Sequence, residues 1–142
     1  MGAYLNPEND QFFQAVNSEI YVDKTELIQY TNKVLNTMQK NICVSRPRRF
    51  GKSMAANMLA AYYSRGCDSE KLFSALAVSK EESFHEYLNK YNTIFINMQE
   101  FLSKTQSMDA MISLVKKRIV WELLLEYPDV LYFDKTDLAG VM

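Results

Sequence analysis

A chain of 142 residues, 48% of them apolar and 13% aromatic, has the size of one domain and is too apolar for disorder. Its 16 basic and 17 acidic side chains leave a net charge of −1, which excludes a general attraction to nucleic acid or anionic membrane. Two cysteines, Cys43 and Cys67, exclude a disulfide framework or a zinc site, and no apolar run approaches the ~20 residues a membrane helix needs.

The opening "MGAYLNPENDQFF" lacks the basic-then-apolar order of a secretory signal, so the expected location is cytoplasmic. Ile20–Val22 is a short β-like run. Asp23 then reads as a helix N-cap, with Glu26 three residues on as in a capping box. Leu27, Ile28, Val34 and Leu35 keep a helical spacing to about Met38. "NICVS", 41–45, is a continuous apolar run, predicted as a strand buried on both faces with Cys43 in the core. A strong helix follows from Lys52 to near Arg65-Gly66, with Met54, Met58, Ala61 and Tyr62 on one side.

"CDSEKLFSAL" reads as a short helix capped by Asp68 or Ser69, and "SKEESFHEYLNKY" as another capped by Ser79. His85 stands without a second His or Cys nearby and reads as an ordinary surface or half-buried residue, and Glu81, Glu82 and Glu86 as a solvated face. "TIFINM", 93–98, is β-branched and aromatic, a second predicted strand. From Ser107 to about Tyr127, Met111, Leu114, Val115, Ile119, Leu123 and Leu124 mark a long amphipathic helix that Pro128 ends. Trp121 and Leu123–Leu125 read as its core side, and Lys116–Arg118 as its wet side. The order of strands and helices predicts an α/β fold, a parallel sheet flanked by helices.

The chemistry concentrates in "SRPRRFGKS", 45–53. A phosphate loop runs G-x-x-x-x-G-K-[ST]. Its backbone N–H groups and the helix N-terminus behind it hold phosphate, its Lys reaches the β- and γ-phosphates, and its Ser or Thr ligates Mg²⁺. Here Gly51, Lys52 and Ser53 fit, but Arg46 stands at the first Gly. Pro47 biases Arg46 towards an extended conformation, so Arg46-Pro47 must make the turn out of the strand. On spacing alone two readings stay open: a nucleotide site, and a basic strand-to-helix turn.

"SRPRRFGKS" resembles the modified Walker A motif "RPRRFGKT" of the bacterial predicted AAA-ATPase-like family. "YVDKTELI", 21–28, is similar to that family's "YVDKT" segment, "KLFSALAVSK" to its "LFKGLKI" region and "YNTIFINMQEF" to its "YPVIYLSF" strand. The resemblance runs from about Phe12 onward. It implies a P-loop NTPase fold of the AAA-like class, with ATP and Mg²⁺ as cofactors and the missing first Gly as the family's rule. It implies a nucleotide site of Arg46, Pro47, Arg48, Arg49, Phe50, Gly51, Lys52, Ser53 and Met54, with the Ser53 hydroxyl on Mg²⁺. For Asp23, Lys24 and Thr25 it adds a contact near the nucleotide beside the helix-cap reading. Longer members often carry a nuclease-like domain, which would bring nucleic acid as a partner.

Hydrolysis also needs a Walker B strand, four apolar residues followed by Asp-Glu. The nearest candidate is "VLYFDK", 130–135, where Asp134 fits and Lys135 occupies the position of the Glu. The expectation is therefore that residues 1–142 are the front portion of an AAA-ATPase-like domain, a fragment that binds nucleotide without turning it over. The alternative is a module whose Arg46, Arg48 and Arg49 contact a nucleic-acid backbone or a protein partner without nucleotide.

Overall fold

The structure, a computed structural model, describes residues 2–129 and 138. They form two compact units, Asn6–Thr93 and a second made by residues 2–5 with the chain from Ile94.

The first unit is helical. Helix α1 spans Asp10–Val16, α2 Glu26–Val34, α3 Lys52–Tyr63, α4 Glu70–Phe73 and α5 Phe84–Tyr87, with a single 3-10 turn at Ala77–Lys80. Met58, Ala61 and Tyr62 are three and four residues apart and form the buried face of α3. Against them pack Phe12, Ile28, Phe73 and Phe84, all 2% exposed or less. Phe12 stacks on Phe73 at 4.9 Å, and Tyr62 meets Phe73 edge-on at 5.6 Å. Each such side chain contributes about 2–3 kcal/mol by burial.

Polar groups buried in this core are paired. Asn32 donates from Nδ2 to Tyr62 Oη at 3.1 Å and Ser83 Oγ at 3.2 Å, and accepts from Tyr63 Oη at 2.6 Å. Burial pushes the Tyr63 hydroxyl up to about 12. The carbonyls at the end of α3 are met by Asn89, whose Nδ2 donates to Ala61 at 3.0 Å and Ser64 at 2.8 Å. A distant Asn thus does the work that a Gly following the helix usually does.

The segment before α2 is clamped to the 3-10 turn. Asp23 Oδ1 accepts from Thr25 N at 2.8 Å and Thr25 Oγ1 at 2.7 Å, and Asp23 Oδ2 accepts from Ala77 N at 2.8 Å. Thr25, fully buried, accepts from Val78 N at 3.1 Å. The N-cap of α2 is Thr25, so Asp23 is not the cap of a capping box. Its carboxylate is instead the tie between two segments 54 residues apart.

In the second unit, α6 spans Met98–Leu102 and α7 Met108–Glu126. Ser107 caps α7 as a true N-cap, accepting from Ala110 N at 3.2 Å. Met111 and Ile119 of α7 are buried with Tyr4 and Phe101, and Leu114, Val115 and Leu123 pack against them. Glu122 turns its carboxylate inward and accepts from three successive backbone amides: Ala3 and Tyr4 at 2.9 and 2.8 Å, and Leu5 at 2.8 Å. That trio of donors satisfies a carboxylate that is 7% exposed.

The parallel sheet expected from sequence does not form among the described residues. Among the described residues the β contacts are isolated bridges, Leu5 to Ile94 and Ser64 to Tyr91, and no strand ladder forms. Residues 41–47 carry no regular secondary structure and are exposed, with Ile42 and Val44 40% and 48% accessible and Cys43 exposed too. A central strand needs a partner at each edge, and no described segment pairs with 42–45. The second expected strand, 93–98, does not form either: Ile94 makes one isolated bridge, and the Asn97 side chain accepts from Gln99 N at 3.1 Å and starts α6 at Met98. Trp121 and Leu125, read as core, are 60% and 63% exposed, since the inward position between them belongs to Glu122. The wet side of α7, Lys116–Arg118, is exposed as expected.

Replacing Glu122 with Ala strands two buried N–H donors, of Tyr4 and Leu5, and the part-buried one of Ala3, and should lower stability by about 3 kcal/mol. Urea unfolding followed by the fluorescence of Trp121, its neighbour on α7, measures this; a loss under about 0.5 kcal/mol contradicts the assignment.

Asp23 carries a pH signature. Partial burial pushes its carboxyl up, but the hydrogen bonds from Ala77 N, Thr25 N and Thr25 Oγ1 outweigh this and hold it below its ordinary value. A depressed folded value stabilises the fold above the unfolded pKa near 3.9, and that contribution is lost as pH falls through the folded value. The stability gap between wild type and Asp23→Asn should stay constant from pH 7 to about 5, then close at lower pH. A gap that stays constant down to acid unfolding contradicts the clamp.

Candidate functional site

The candidate site is the stretch before α3. Gly51 is the N-cap of α3, with φ +77°, a left-handed conformation that a residue with a Cβ adopts at a cost. Its carbonyl accepts from Ala55 N at 2.9 Å and begins the helix. The first turn of α3 carries no acidic residue, so the partial positive charge of a 12-residue helix is not offset from its own first turn. Arg49, two residues earlier, is also left-handed at φ +66°. For a residue with a side chain this is an uncommon conformation, costing roughly 1–2 kcal/mol.

Two lysines hold this turn. Lys52, the first residue of α3, folds its ammonium back to donate to the Arg46 carbonyl, closing residues 46–52 into a loop. Lys24, between the two clamp residues, donates from Nζ to the Phe50 carbonyl at 3.1 Å. A Cβ added at Gly51 would lie 2.9 Å from that same Nζ. Lys24 therefore lies against the one residue of the turn that has no side chain.

The structure brings the sequence-derived residues together as one solvent-facing loop. Arg46, Pro47, Arg48, Arg49, Phe50, Lys52 and Ser53 are exposed, and Gly51 and Met54 are half-buried. Among the described residues no carboxylate lies within 4 Å of Lys24, Arg46, Arg48, Arg49 or Lys52; the ion pair observed is Lys104 with Glu100, at 2.7 Å in the other unit. Two ammonium groups thus reach a turn that also carries three exposed arginines, with no carboxylate within 4 Å of any of them among the described residues. In the sequence only the family resemblance points to Lys24 near the site; its contact joins residues 26 positions apart and leaves no spacing signal.

Among the described residues no group of three or more His, Cys, Asp or Glu could hold a metal ion. No described helix is long and apolar enough to cross a membrane. His85 is exposed, as expected. A cleft of about 350 Å³ in the second unit is lined by Gly2, Leu5, Trp121 and Glu122, but its carboxylate is already held by backbone amides. The Walker B candidate at 130–135 lies outside the described residues.

Comparison with curated proteins and with solved structures gives no match. A family model described as predicted AAA-ATPase matches residues 11–140, a span that contains the clamp, the loop and α3. The match covers most of the chain, although the described residues form helices without the sheet that the resemblance led us to expect. With the loop and its match in hand, the chain belongs to the predicted AAA-ATPase family.

Proposed function

We propose that the chain binds ATP with Mg²⁺ through residues 45–54 and does not turn it over by itself. One observation carries the reading: the closed loop at the start of α3 gathers Lys52, Lys24 and three exposed arginines, with no carboxylate among the described residues to neutralise them. A polyanion is the natural counterpart of such a site. Helix N-terminus, backbone amides and ammonium groups all favour phosphate oxygens over a neutral ligand.

Each residue then has a role. Lys52 exchanges the Arg46 carbonyl for the β- and γ-phosphates, as the position of its ammonium across the loop allows. Gly51 permits the backbone to approach phosphate closely. Arg46, Arg48 and Arg49 supply guanidinium groups at the rim. Ser53, exposed in the first turn of α3, would place its hydroxyl on Mg²⁺. That ion takes few protein ligands and completes its shell with phosphate oxygens and water, which suits a site without a carboxylate cage. Mg²⁺ would neutralise phosphate charge.

Turnover needs a carboxylate to activate water. The nearest sequence candidate carries Lys135 in that position, a group that cannot act as a base while protonated. The exposure of all three arginines also favours a second reading, contact with a nucleic-acid backbone without nucleotide.

ATP·Mg²⁺ at about 100 times its Kd should stabilise the chain by about 2.7 kcal/mol, a rise of roughly 5–10 °C in Tm. Lys52→Ala and Ser53→Ala should abolish most of that rise. Absence of any rise at millimolar ATP or ADP contradicts nucleotide binding. DNA affinity that falls steeply with salt, alongside an unmoved Tm with ATP, would support the second reading instead.

A further inference from the structure

Asp23 and Thr25 both turn inward to the segment Ala77–Val78, and Thr25 is fully buried. The residue between them is thereby left facing the other way, and its ammonium reaches Phe50 and Gly51. Lys24 is exposed, and a free lysine on a surface would give up much of its rotamer freedom to hold a single carbonyl. Here the backbone on both sides of it is already fixed, so less freedom remains to be lost. The carbonyl it holds belongs to the residue between two left-handed residues, Arg49 and Gly51, the least favourable point of the turn.

From this we propose that Lys24 is a positioning residue of the phosphate loop. It holds the Arg49–Gly51 turn in its two left-handed conformations and adds a second ammonium beside Lys52. The proposal rests on the nucleotide reading of the loop for its ligand, but its action on the loop exists without ligand. Asp23 and Thr25 are, on the same view, the parts that aim Lys24; their own atoms do not reach the loop.

The charge matters as well as the hydrogen bond. Lys24 Nζ lies beside Gly51, where phosphate must approach closely, so its positive charge acts directly on the same anion. Methionine retains the length and apolar stem of lysine and removes both the donor and the charge. Arginine retains both.

Two measurements on the full chain test this. In the first, limited trypsin digestion without nucleotide is followed by mass spectrometry at the Arg48–Arg49 and Arg49–Phe50 bonds. Lys24→Met should raise the cleavage rate there at least threefold, leave Tm within about 2 °C, and be rescued by Lys24→Arg. In the second, ATP·Mg²⁺ affinity should fall about tenfold in Lys24→Met and recover most of the way in Lys24→Arg. Cleavage at the wild-type rate in Lys24→Met overturns the proposal, as does an affinity loss that Lys24→Arg fails to rescue. If wild type itself binds no ATP·Mg²⁺, the nucleotide reading falls, and the cleavage rates still decide whether Lys24 positions the loop.

Discussion

The Asp23 carboxylate carries more of this structure than its place in an exposed segment suggests. It accepts from Thr25 twice and from Ala77 once, and in doing so joins the entry to α2 to the turn that follows α4. Thr25 repeats the connection to Val78 one residue on. With both neighbours committed, Lys24 has one direction left, and that direction leads to Phe50 and Gly51. The loop before α3 is therefore held at two points, by Lys52 from within and by Lys24 from across the fold.

The same chain of causes explains why the loop faces solvent while its supports do not. Met58, Ala61 and Tyr62 bury the inner face of α3 among Phe12, Ile28 and Phe73, so α3 itself is fixed. Its C-terminal carbonyls are satisfied by Asn89 and its N-terminus is left open, with no acidic residue in the first turn. A helix packed through its second half, its last carbonyls satisfied by Asn89 and its N-terminus without a side-chain cap, presents its positive end to whatever anion arrives. The Lys24 and Lys52 ammonium groups held in the turn act in the same sense.

Much of this could be read in the sequence, and what could not has a physical cause. Residues 52–63 and 108–126 are long periodic runs with clear start signals, and both are helices close to the expected ends. The loop residues 45–54 are adjacent in sequence, so their meeting in space followed from the chain itself. The sheet did not follow. "NICVS" and "TIFINM" have β composition, but composition says nothing of whether a neighbouring strand is available, and among the described residues neither run has a ladder. The capping box at Asp23 failed for a related reason: its carboxylate found Ala77, 54 residues away, which no local pattern could indicate. Glu122 was hidden as well, since a Glu amid Trp121 and Leu123 reads as a polar interruption until three backbone amides are seen around it.

Membership of the predicted AAA-ATPase family and a cation-lined loop at a helix N-terminus converge on one claim, that Lys52 meets the phosphates of a nucleotide. Titrating the chain with a fluorescent ATP analogue in Mg²⁺, with unlabelled ATP as competitor, tests it most directly. The account predicts saturable binding that ATP displaces and that Lys52→Ala weakens at least tenfold. Equal affinity in Lys52→Ala, or no saturable binding at millimolar nucleotide, would contradict it.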